Sequence, residues 1–189
     1  IEVSKSLLGK ILVHRVNGIE LMGRIVEVEA YVGDIDKACH CYNNKRTKRT
    51  EIMFGPPGHA YIYLIYGMYY CMNIVTEREG EGAAVLIRAL EPIGGIEEMA
   101  VNRYKKQYKD LNKRQIKNLT NGPGKLCSAL SITKDNYGDD LTENKLYVVD
   151  DGYKISRIGI SSRINIDYAE EAKDFKWRFF IEGNPYISK

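Results

Sequence analysis

The chain has 189 residues, 44% hydrophobic and 28% charged, values that describe one soluble globular domain able to bury a full core. No apolar run approaches the ~18–20 residues that a bilayer-spanning helix needs, and nothing near Ile1 resembles a signal peptide, so an intracellular protein with no membrane partner is expected. The net charge of +3 leans weakly towards acidic partners and is unevenly spread: Lys45, Arg46, Lys48 and Arg49 fall in one segment, and a second basic series runs over residues 103–125. Either cluster, taken singly, is as well explained by a solvated face.

In chain order, SKSLLGK reads as a helical turn or two ending at Gly9, followed by a strand over residues 10–16. Asn17-Gly18 is a strong hairpin signal, and the returning strand runs over residues 20–32. Its alternation puts Val26, Val28, Ala30 and Val32 on a core face and Glu27, Glu29 and Tyr31 on the other. Two carboxylates and a phenol on one face fit either the wall of a cleft or the wet side of an edge strand.

A long polar segment follows over residues 33–57, and loops of that length tend to be functional or disordered. It carries His40 and the first basic cluster. The four cysteines (Cys39, Cys41, Cys71, Cys127) make no disulfide framework, and Cys39-His40-Cys41 lacks the spacer and second ligand pair of a structural zinc site. Neither metal nor cofactor is expected.

Residues 60–75, AYIYLIYGMYYCMNIV, hold five tyrosines and no charge. Alternation interrupted at Gly67 predicts a tight β-hairpin with Tyr66 and Gly67 near its tip, its rings divided between core packing and exposure. Residues 82–90 then read as a buried strand broken by Arg88, a charge that needs a carboxylate or a ligand phosphate; Glu29 or Glu27 is the obvious carboxylate. Helical spacing begins at Ile96, the Lys-rich stretch after Tyr104 reads as helix end and exposed loop, and Asn121-Gly122-Pro123-Gly124-Lys125 reads as a turn feeding a helix start where backbone N–H groups can meet phosphate. Short β-like runs over residues 145–149, 153–160 and 177–181 complete the chain. The expected fold is α+β: one domain over residues 1–189, a curved, mainly antiparallel sheet with a protruding hairpin and surrounding helices.

Together, RIVEVEAYVG, His40, MFGPPGHAYIYLIYGMYYCMN, VLIRALEP, NGPGKLCSAL and the terminal WRFFIEGNPYIS resemble the alkyladenine (3-methyladenine) DNA glycosylase family of base-excision repair over nearly the whole chain. The resemblance implies an enzyme that flips alkylated, and also deaminated, purines from double-stranded DNA and hydrolyses the N-glycosidic bond. By residue it implies Glu29 as the base that activates water, with Arg88 orienting it. Tyr31, His40 and Tyr63 would stack on the base, and Asn73 would lie against the purine edge. Tyr66, with Met68 beside it, would enter the duplex. Gly122, Lys125, Arg46 and Arg49 would meet the DNA backbone. Glu27 is taken as structural or paired with a cation. With no lysine expected in the pocket as a Schiff-base nucleophile, the implied activity is monofunctional, without lyase action. A monomer is implied, cytoplasmic and nucleoid-associated if bacterial. Asn165 departs from the family, which has glycine there and uses the backbone of that segment to help hold the water. A non-catalytic module binding damaged DNA or RNA, built on a related β-rich fold, is the alternative.

Overall fold

A short helix, α1 (Glu2–Leu7), leads into β1 (Ile11–Val16) and β2 (Ile19–Val32). Asn17 and Gly18 reverse the chain between these strands with φ of 50° and 79°, the left-handed pair that a two-residue hairpin turn demands. In the computed structural model, which describes residues 1–143 and 145–188, β3 (Ala60–Ile65) and β4 (Tyr69–Val75) form the expected second hairpin. The chain continues through β5 (Ala83–Gly94), α2 (Ile96–Tyr104), α3 (Lys113–Lys117), α4 (Pro123–Ala129), β6 (Leu146–Val149), β7 (Ile158–Ser161) and β8 (Arg178–Ile181).

The eight strands make one open sheet in the order β3-β4-β5-β2-β1-β6, with β8 joining β2 to β7. The pairings between these strands are antiparallel, so the α+β reading holds. Two expectations need adjustment. The Lys-rich stretch is not all loop, because an Asn112–Gln115 capping box starts α3 within it. Residues 153–157 are irregular, and the strand there is only β7.

The sheet buries its main apolar cluster, including Leu12, Ile25, Val28, Met72 and Ile87, together with Leu8, Met99 and Leu126 near or on the helices. A second cluster, with Cys41, Met53, Phe54, Tyr61 and Ala84, brings residues of the 33–57 segment against β3, β4 and β5.

Strand β2 is the axis of this arrangement. It pairs with β5 along most of its length on one side, and on the other side β1 gives way to β8 opposite Glu27–Glu29. With strands on both flanks, β2 has no free edge at the carboxylates. Glu27 and Glu29 are fully buried, which rules out the wet-edge reading.

Pairing with β5 also slips three times, two of them beside the carboxylates. Val26 lies between the paired residues Ile25 and Glu27, and Arg88 lies between the partners of Glu27 and Val28, which are Ala89 and Ile87. Arg88 is thus an extra residue at a β-bulge, a device that re-aims a side chain. Here it turns a guanidinium onto the two buried acids.

Candidate active site

Arg88 bridges the carboxylates, donating from Nη1 to Glu29 Oε2 at 3.1 Å and from Nε to Glu27 Oε1 at 3.1 Å. Burial works against its charge, but Glu29 and then Glu27 outweigh that cost and its pKa stands above the usual arginine value. Glu27 is filled by further donors: Arg178 Nε, the Ser188 hydroxyl and the Ser188 backbone N–H. It is a structural carboxylate between two arginines.

Glu29 is held differently. Oε2 also accepts the Tyr31 hydroxyl at 2.9 Å, while Oε1, among the described residues, accepts only the backbone N–H of Ile164, at 2.8 Å. A carboxylate has about four acceptor sites, so three donors leave Oε1 with room for one more, such as a water. Glu29 does not itself border the large cavity beside it, as a cleft-wall reading would have it. Its partners Tyr31, Arg88 and Ile164 form that wall, and Glu29 lies directly behind them.

The cavity has a volume of about 710 Å³, within the range of small-molecule sites. Tyr31, His40, Tyr63 and Asn73 all border it, so four positions drawn from three separate segments of the sequence meet in one place. His40 meets Tyr63 edge-on, with centroids 4.6 Å apart, and its Nδ1 pairs with the Tyr61 hydroxyl at 2.8 Å. Burial, and then the nearby Arg49 charge, lower the His40 pKa to about 4, which leaves a neutral ring at neutral pH. Burial, with Glu29 second, raises the Tyr31 pKa, keeping its hydroxyl a donor. Asn73 pairs across the hairpin with Tyr61, two residues along from the Tyr63–Cys71 pair, and its amide donates to Tyr61 O at 3.1 Å.

At the hairpin tip Tyr66 and Met68 are 75% and 69% exposed, the two most exposed large apolar side chains of that hairpin, and Tyr66 also borders the cavity. Among the positions expected to meet the DNA backbone, Arg49, Lys125 and Gly122 border the cavity, whereas Arg46 is not among its lining residues; it lies over Phe54 at 4.4 Å and pairs with Glu51. The expectation of a pocket without lysine needs correcting, since Lys125 is on the wall. Its Nζ is tied to Asn118 Oδ1 at 2.7 Å and Asn121 Oδ1 at 2.8 Å, and burial followed by the Arg103 charge lowers its pKa.

Tyr61 is one of the hairpin rings that pack in the core, and its hydroxyl also anchors His40. Less visible in the sequence were Asp36 and Arg163, a fully buried ion pair, whereas the turn after Arg163 is marked there only by the resemblance, at Asn165. Asn165 has φ of 60°, the left-handed conformation that a glycine adopts freely. Asparagine is among the few other residues that tolerate it, so the departure preserves the backbone that delivers Ile164 N–H to Glu29. Among the described residues no group of three His, Cys, Asp or Glu side chains could hold a metal, and no helix is long and apolar enough to cross a membrane.

Comparison with known proteins agrees in extent with this arrangement. The family model described as methylpurine-DNA glycosylase matches residues 1–185. A protein of Alkaliphilus oremlandii is 64% identical over 189 residues, covering 100% of this chain and 94% of its own length. One from Clostridium tetani is 57% identical with the same two coverages, and one from Desulfitobacterium hafniense is 55% identical over 98% of this chain and 92% of its own. All three bear the name "Putative 3-methyladenine DNA glycosylase". By the extent of that match, the chain belongs to the methylpurine-DNA glycosylase family.

Proposed function

We propose that this protein is a monomeric DNA repair glycosylase that flips alkylated purines, and deaminated ones as a second class, out of duplex DNA and releases the base with water. The observation that carries the reading is the buried Glu29 carboxylate, with an acceptor site left on Oε1, placed behind the wall of an aromatic-lined cavity. Glu29 takes a proton from the attacking water and, as a carboxylate, stabilises the positive charge that develops on the sugar as the glycosidic bond breaks. Arg88 and Tyr31 hold it in place for that role.

Specificity follows from the walls. Purines alkylated at N3 or N7 are cationic, and the faces of Tyr31, Tyr63 and a neutral His40 favour a cation by about 0.5–2 kcal/mol over a neutral base. The side-chain amide of Asn73 disfavours an exocyclic amino group at the purine edge. Tyr66, with Met68, fills the gap that the flipped nucleotide leaves, while Arg49, Lys125, Gly122 and Arg46 meet the backbone. An alkylated purine is already an activated leaving group, so Glu27, held between Arg88, Arg178 and Ser188 and not among the cavity's lining residues, has no part in protonating it. The strand stays intact because Lys125 is engaged by two asparagines and water is the nucleophile.

The test is incubation with duplex DNA holding one methylated purine. Free base and alkali-labile abasic sites, with no strand cut before alkali, are expected. Cleavage without alkali would overturn the monofunctional reading. Tighter binding to single-stranded RNA than to damaged duplex, with no base release, would favour a non-catalytic RNA module.

A further inference from the structure

The Asp36–Arg163 pair lies behind the cavity and touches several of the groups that the proposed chemistry needs. Arg163 is fully buried and is not among the cavity's lining residues, so it does not meet a substrate there. Its Nη1 and Nη2 form a fork onto the two oxygens of Asp36, and the same nitrogens donate to Ala30 O at 2.9 Å and Ala172 O at 3.1 Å. The guanidinium lies over the Tyr31 ring at 4.7 Å and near Trp177 at 5.2 Å. Ala30 immediately precedes Tyr31, and Ile164, whose N–H binds Glu29, immediately follows Arg163.

Asp36 extends the arrangement to the other wall. Its Oδ1 accepts the Ala38 N–H at 3.0 Å, two residues before His40, and its Oδ2 accepts the Val32 N–H at 3.4 Å. One ion pair therefore ties together the end of β2, the segment carrying His40 and the turn that supplies Ile164. A buried ion pair contributes little net stability compared with an apolar pair of similar volume, so what needs explaining is the geometry it holds. Arginine suits this because its planar fork can bind a carboxylate through two nitrogens and lie on an aromatic face at the same time; lysine offers a point charge and no such plane.

We propose that Arg163, held by Asp36, is a positioning residue for base release: it fixes the Tyr31 ring and the Ile164 N–H, two of the three donors on Glu29. This rests on the glycosylase reading above. A small misplacement of a reacting group costs rate more than affinity.

The test compares wild type, Arg163→Lys, Asp36→Asn and Trp177→Leu in three measurements: single-turnover base release from methylated duplex, affinity for a duplex with an abasic-site analogue, and the Ile164 amide signal by NMR. Arg163→Lys and Asp36→Asn should each slow release about tenfold or more, with affinity for the analogue changed less than about twofold. The Ile164 amide proton should move upfield as its bond to Glu29 lengthens. Trp177→Leu, which removes the other ring beside the guanidinium, should lower the melting temperature and leave the release rate unchanged.

Release at the wild-type rate by Arg163→Lys, or equal slowing by Trp177→Leu, would make the pair mere packing and overturn the proposal. If neither Arg163→Lys nor Asp36→Asn folds, the pair is structural and the proposal falls as well. Absence of release by wild type would instead overturn the glycosylase reading, while the amide shift would still report the positioning.

Discussion

His40 shows how one residue's surroundings set its chemistry. Its pKa of about 4 lies below the ordinary 6.5, so between these values the unfolded chain takes up a proton that the folded one refuses. His40's contribution to stability is therefore complete above pH 6.5 and is lost as the pH falls towards 4. An NMR titration should show a neutral His40 ring down to about pH 5, and Arg49→Gln should raise its midpoint by removing a repelling charge; a midpoint near 6.5 in wild type would contradict the burial of the ring. Arg88 gives a second prediction. Arg88→Met would leave Glu27 and Glu29 buried without their shared cation, and denaturant unfolding should show a loss of about 3–5 kcal/mol. At this scale the Arg88–Glu29 contact was legible because a charge inside an apolar run requires a partner. Ile164 and the Asp36–Arg163 pair were not. Ile164 lies 135 residues from Glu29, and Arg163 lies 127 from Asp36, with no local pattern to link them.

The β3–β4 hairpin carries strain at its tip. Tyr66 and Gly67 both have positive φ, 54° and 67°, and the turn closes with Met68 N–H donating to Ile65 O at 3.2 Å. Glycine accepts that conformation freely, but tyrosine does so at a cost of about 1–2 kcal/mol. A strained aromatic that is also 75% exposed gains nothing for the fold, which is what a residue kept for a partner looks like. Tyr66→Asn should accordingly raise stability by about 1 kcal/mol, or roughly 2–4 °C in melting temperature, and weaken binding to a duplex with a flipped-nucleotide analogue. Lower stability with unchanged affinity would return Tyr66 to a packing role. The hairpin and its tip could be read from alternation and Gly67. The bulge that aims Arg88 could not, since an inserted residue leaves composition and local propensity unchanged.

Over the whole molecule, a single sheet sets the tools at different depths. The hairpin tip projects, the aromatic cavity lies beside its arms, and the carboxylate network sits deeper, where β2 is flanked by β5 and β8. The α+β class and most strands could be read from periodicity, but the role of β8 could not, because a four-residue strand carries no sign that it will seal the far side of Glu27–Glu29. The basic side chains at the cavity should make duplex affinity fall steeply with salt, and Arg49→Gln should reduce the slope of log K against log salt by about one; a flat dependence would remove Arg49 from the phosphate contacts. The central claim is that Glu29 accepts the proton of the attacking water. Its most direct test is single-turnover base release from methylated duplex by Glu29→Gln, with binding to the same DNA measured alongside. The account predicts near-wild-type affinity and a rate lower by about 10²–10⁴-fold; release at the wild-type rate would contradict it.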